Sequence, residues 1–137
     1  TVFTSLAVVG SRSLDDDEHA RAVGMSIIEE ALRRNESLTT FVSGGAKGPD
    51  KWGETLALEK TTLDLILHKP DWQEHGRRAG FVRNEYIVRD ADVVMAFWDG
   101  KSRGTQHDIE LCKKTGTPCV LYTWNPASKQ YSRKRIV

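Results

Sequence analysis

Three glycine-rich turns hold most of the residues in this chain whose types and spacing suit chemistry. The first is Gly10-Ser11-Arg12-Ser13. The second is Gly44-Gly45-Ala46-Lys47-Gly48, running into Pro49 and Asp50. The third is Asp99-Gly100-Lys101-Ser102-Arg103-Gly104-Thr105. Glycine lets main-chain N–H groups approach an anion closely, a helix start adds positive potential, and Lys or Arg adds a full charge. Arg12 offers a fork suited to bidentate phosphate or carboxylate contact, Lys47 stands beside a nest of main-chain donors, and Gly104-Thr105 presents amides and a hydroxyl near Lys101 and Arg103. The chemistry expected is capture of a phosphate-bearing ligand. Neither GxxxxGK[ST] nor GxGxxG occurs, which takes support from ATP hydrolysis and ordinary dinucleotide binding. Against this stands the plainer reading of each turn as a tight strand-to-helix connection with solvated cations.

Other residues extend the candidate site. Trp72 and Trp98 are aromatic platforms for a base, with partial burial in the core as the alternative. Arg83 and Asn84 sit on one helix, where Arg83 reaches a phosphate or a ribose, or else forms a surface ion pair. Cys112 and Cys119 make no CxxC pattern, and no second Cys/His pair stands at zinc-site spacing. Both read as reduced core thiols, and neither a metal nor a cofactor is expected.

Elements must bring these turns to one place. Short apolar runs at 3–9, 39–43, 63–68, 92–98 and 119–124 alternate with amphipathic segments, the pattern of strands exchanging with helices. Helices are expected from Ser13 as N-cap, with Asp16 completing a capping box, to Arg34. Others should run from Pro49 to about Lys60, from about Arg77 to Arg89, and from Gly104 or Thr105 to Thr115. Strands this apolar are buried on both faces. The fold class expected is α/β, a Rossmann-like three-layer sandwich with a parallel sheet of about five strands. Residues 1–124 form the domain and 125–137 a polar C-terminal tail. In such sheets the ligand crevice lies beyond the strand carboxyl ends, where all three turns fall.

The chain has 137 residues, a length that supports a core without disulfide or metal staples. A formal net charge of +1 argues against nucleic acid as a partner, since coat-like binders show a basic excess. No run approaches the roughly 18 apolar residues of a membrane span, so no membrane partner and a cytoplasmic location are expected. Met25 and Ile28 are candidates for a homodimer face, or alternatively for the core.

Taken in order, Val9 to Arg12, Ser43 to Asp50, Pro70-Asp71-Trp72, Gly80 to Asn84, Ala91-Asp92 through Trp98, and Gly100 to Thr105 resemble the SLOG superfamily. Within it the resemblance is to the YspA-like branch more than to the LOG phosphoribohydrolases or DprA, and it covers nearly the whole domain but not the tail. It implies a Rossmann-like fold binding a nucleotide or nucleotide-derived molecule, such as ADP-ribose or a mononucleotide, as sensor or processing protein. In LOG enzymes a glutamate acts with a helix arginine; Asp108 and Arg83 take those positions here, so both are candidate catalytic residues for N-glycosidic cleavage. The loop lacks the proline and second glycine of the LOG pattern, and Asp108 also serves as a complement to a helix dipole. Three functions follow in order: a binder of a phosphate-bearing nucleotide derivative, a nucleoside 5′-monophosphate phosphoribohydrolase, and a DprA-like single-stranded DNA binder.

Overall fold

Runs of Val, Ala, Phe and Leu without polar alternation can be satisfied only in strands covered on both sides. The computed structural model describes residues 2–60 and 62–137 and places them that way. Six strands, β1 (Ser5–Gly10), β2 (Thr40–Ser43), β3 (Asp64–Leu67), β4 (Val93–Trp98), β5 (Cys119–Asn125) and β6 (Gln130–Arg135), form one sheet. Its order is β3-β2-β1-β4-β5-β6. All neighbours are parallel except β5 and β6, which are antiparallel. The helices are α1 (Glu18–Arg34), α2 (Pro49–Leu58), α3 (Trp72–His75), α4 (Ala79–Asp90) and α5 (Arg103–Thr115).

Alternate residues of the central strands feed two cores. Leu6, Val8, Phe41, Met95 and Phe97 pack with Ile28 of α1 and Trp52 of α2. Ala7, Val9, Val42, Val94 and Ala96 pack with Ile87 and Val88 of α4 and with Ile109 and Cys112 of α5. This is a Rossmann-like three-layer sandwich of the α/β class. Among the described residues no helix is long and apolar enough to cross a membrane.

Three sequence expectations are corrected. The segment read as a polar tail carries β6, which adds a sixth strand. Asn125 turns the chain by accepting from Ala127 N, and Tyr131 then lies 5.4 Å from the Phe97 ring and donates its hydroxyl to Ala20 O at 2.8 Å. An edge strand buries only one face, so a single aromatic among charged residues was all the signal β6 needed. Second, α1 starts later than Ser13. Residues Arg12–Asp16 form a 3₁₀ turn, and Asp17 caps α1 by accepting from His19 N and Ala20 N. Trp124 Nε1 also donates to Asp17, which fixes the cap from β5. Third, Ile28 is fully buried, which removes it from a dimer face, and Met25 is half-buried against the same core, as the alternative reading of the pair had it.

Candidate functional site

Strand order reverses between β1 and β4, and a topological switch of this kind opens a crevice at the strand carboxyl ends. The crevice here measures about 100 Å³ and is lined by Gly10, Arg12, Ala46, Asp50, Arg83, Asn84, Ser102, Gly104, Thr105 and Asp108, with Val9 and Ile87 as its apolar wall. Residues from all three glycine turns therefore meet α4 at one point. A hollow of about 290 Å³ lies at the opposite, amino end of the sheet, walled by side chains such as Phe3, Leu38, Met95 and Tyr122, and carries none of these turns. Gly10 is where the turns touch: a Cβ there would stand 2.5 Å from both Phe97 O and Pro49 Cγ. No other residue lets β1, β4 and the start of α2 approach so closely.

Asp99 ties the first turn to the third. Its carboxylate accepts from Ser13 Oγ at 2.7 Å, Ser102 N at 2.8 Å, Lys101 N at 2.9 Å and Ser11 Oγ at 3.2 Å. Burial works against this charge, but the four donors hold the carboxyl below its ordinary range. Ser11 is itself buried, receives Asp99 N, and lies 3.1 Å from Thr105 Oγ1. Its role is to join loops. At α5, Ser102 caps the helix by accepting from Thr105 N at 3.4 Å, and Arg103 and Gly104 supply the other early N–H groups. Gly100 takes a φ of 84°, which turns the loop so that Lys101 and Arg103 are exposed at its rim.

The second turn is arranged differently from the expected open nest. Asp50, buried at the start of α2, accepts from Gly44 N at 3.1 Å and also from Ala46 N, while Gly45 N donates to Ser43 Oγ. The chain's own side chains thus occupy these donors. Lys47 is exposed and pairs with Asp16 at 2.8 Å, and Gly48 forms the N-cap of α2. Gly44 is where the arginine of α4 arrives: Arg83 Nη1 donates to Gly44 O at 2.7 Å, and a Cβ on Gly44 would stand 2.5 Å from that same nitrogen.

Arg83 Nε donates to Asn84 Oδ1, and Asn84 Nδ2 lies 3.2 Å from His107 Nδ1. Burial lowers the His107 pKa, which favours the neutral ring that can accept from Asn84. Asp50 and Asp108 are the two acids of the crevice. Burial pushes Asp50 up to about 7, with Arg83 opposing. Burial, then the charge of Asp50, raises Asp108 well above the ordinary carboxyl range. Asp108 Oδ1 is buried and has no hydrogen-bond partner among the described residues. Burial thus disfavours negative charge on both acids, and Arg83 faces them with a positive one.

Trp72 lies on α3, just past β3 at the same sheet edge, and is 61% exposed. Trp98 is half-buried, donates Nε1 to Ser102 O at 3.0 Å, and lines a separate hollow with Ile109 and Leu121 instead of the crevice. The sequence reading missed Phe81, which is 45% exposed with its ring 4.4 Å from that of His107. Its spacing of three from Asn84 was the available signal, because residues three apart share a helix face.

No protein-family model matches the chain. In a solved structure, DNA processing protein A from Helicobacter pylori, described with a single-stranded DNA binding mode, superposes with a TM-score of 0.66 at 19% identity. The match covers 94% of this chain and 68% of that one, and what it shows is a shared fold. It also overturns the expectation that nucleic acid is an unlikely partner, because a protein of this fold is described with a single-stranded DNA binding mode. Whole-chain charge says nothing of how charges are placed: at this edge Lys47 is paired with Asp16, whereas Lys101 and Arg103 are exposed. The Gene 61 protein of Mycobacterium phage D29 is 33% identical over 124 residues, covering 87% of this chain and 96% of that protein. At that identity over nearly the full length of both, this chain belongs to the family of the phage D29 Gene 61 protein.

Proposed function

We propose that this protein binds single-stranded DNA along the carboxyl edge of its sheet, seating one backbone phosphate in the crevice at the start of α5 and stacking bases on exposed aromatic side chains. The observation that carries the reading is the size of the crevice. At about 100 Å³ it admits a phosphate group, whereas pockets that enclose a whole small ligand span roughly 300–1,000 Å³. The sugar and base must then lie outside it. There the surface offers cations and π-faces together, the combination that follows a flexible strand. Among the described residues no acid lies within 4.0 Å of the charged groups of Arg12, Lys101 or Arg103. Trp72 and Phe81 present the aromatic surface. The fold shared with the Helicobacter protein supports the same reading, and the placement in the SLOG superfamily, within its YspA-like branch, is part of this proposal.

A second reading, phosphoribohydrolase action on a nucleoside 5′-monophosphate, draws on one observation: Asp108, with an unpartnered buried oxygen, and Arg83 line the same crevice. A protonated Asp108 suits proton donation to a leaving base. The two readings part on one experiment, the binding of a labelled single-stranded oligonucleotide with unlabelled mononucleotides as competitors. The DNA reading expects tight oligonucleotide binding, no competition by mononucleotides, and loss of binding in Gly104→Asp, which places a carboxylate at the phosphate seat. Effective competition by a mononucleotide, with release of free base that stops in Asp108→Asn, would establish the second reading instead.

A further inference from the structure

β3 ends the sheet, and nothing among the described residues pairs with its outer side. The strand reads Asp64-Leu65-Ile66-Leu67, and all four residues are exposed, the three apolar ones at 37–39%. Natural proteins protect such edges with lysine, proline, a bulge or a covering element, and none of these stands within this strand. We propose that a second copy of this chain covers it, with two β3 strands pairing antiparallel about a two-fold axis through Ile66. This inference is independent of the DNA reading.

The hydrogen-bond pattern sets the register. Asp64 N donates to Thr39 O at 2.9 Å and His68 N to Ser43 O at 2.8 Å, so the even-numbered residues spend their main-chain groups on β2. Leu65 and Leu67 therefore direct their N–H and C=O outward. In an antiparallel pair, hydrogen-bonded residues stand directly opposite and exchange both bonds. Placing Leu65 opposite the partner's Leu67, and Leu67 opposite the partner's Leu65, satisfies every outward group at once and puts the two Ile66 residues face to face. A two-fold interface requires this kind of self-complementarity.

Side chains agree with that register on both faces. Leu65 and the partner's Leu67 would meet on the face where Leu58, 71% exposed at the end of α2, lines the same hollow as Leu65. On the other face Ile66 meets its own copy, flanked by Asp64 opposite the partner's His68. Asp64 forms no ion pair among the described residues, and His68, whose Nε2 is held by Asp90 at 2.5 Å, keeps Nδ1 without a hydrogen-bond partner there and stacks on the exposed Tyr86 ring at 5.7 Å. Apolar contact at the centre and, at each end, the unpaired Asp64 carboxylate facing the Nδ1 edge that Asp90 leaves open on the partner's His68 suit a second copy better than an unrelated strand.

The register makes a test that other dimers would fail. Sedimentation equilibrium of the wild type should show a dimer. Leu65→Lys alone and Leu67→Glu alone should each give a folded monomer by circular dichroism, since both positions are exposed. Mixed in equal amounts, the two variants should form a heterodimer, because one Lys faces one Glu and the remaining leucines face each other. The double variant L65K/L67E should likewise regain the homodimer. A monomeric wild type overturns the proposal, as does a dimer that persists in both single variants or one that neither the mixture nor the double variant restores.

Discussion

Asp108 shows at the scale of one residue how burial and function compete. Its carboxyl is buried beside Asp50, keeps one oxygen unpartnered, and holds its proton well above the ordinary range because the charged form is expelled from this environment. A carboxyl whose folded pKa is raised contributes fully below its unfolded value and loses that contribution as pH rises through the folded value. For Asp50 the window runs from the ordinary carboxyl value of 3.8 to about 7, and for Asp108 the loss likewise falls well above the ordinary carboxyl range. Asp108→Asn removes one of the two titrations without changing shape. Thermal melts of that variant should match wild type at about pH 4 and exceed it at about pH 8, with the gap widening steadily between. The aromatic residues make a separate prediction. If Trp72 and Phe81 carry stacked bases, alanine at each should weaken oligonucleotide binding by about 1–3 kcal/mol, roughly 5- to 150-fold, with thermal stability little changed because both side chains are exposed.

Elements carry most of what was legible in the sequence. The first five strands and the long helices follow from apolar runs and 3.6-residue spacing, and the three glycine turns mark the strand ends that surround the crevice. What was hidden depends on contacts distant in the chain. Asp15, Asp16 and Asp17 stand in a row as possible caps, and the one that caps α1 is Asp17, which also accepts from Trp124, 107 positions away. The donors of the second turn look free in sequence, yet Asp50 folds back onto Gly44 and Ala46. β6 looked like a solvated tail because its buried face needs only Tyr131. That last correction has a consequence. Removing residues 126–137 exposes Trp124, Tyr122 and part of Phe97, aromatic area worth several kcal/mol in total. The truncated chain should lose its cooperative thermal transition, whereas charge-neutralising changes at Arg133 and Lys134, both exposed, should leave it within about 0.5 kcal/mol of wild type.

The whole molecule separates its charges by topology. A net charge of +1 suggests indifference to nucleic acid, but the crossover order sends Arg12, Lys101 and Arg103 to one edge, where burial disfavours the charged form of the crevice acids Asp50 and Asp108. Asp99 is the clearest case: four donors consume its carboxylate, so it organises the loops and leaves the rim cationic. The most direct test of this account is a fluorescence-anisotropy titration of a labelled single-stranded oligonucleotide across a series of salt concentrations. Three phosphate contacts from these cations predict a plot of log K against log salt with a slope of about −2, which flattens when Arg12, Lys101 and Arg103 are all replaced by alanine. Binding that is absent even at low salt, or that keeps its slope in the triple variant, would contradict the assignment of this edge as the DNA-binding surface.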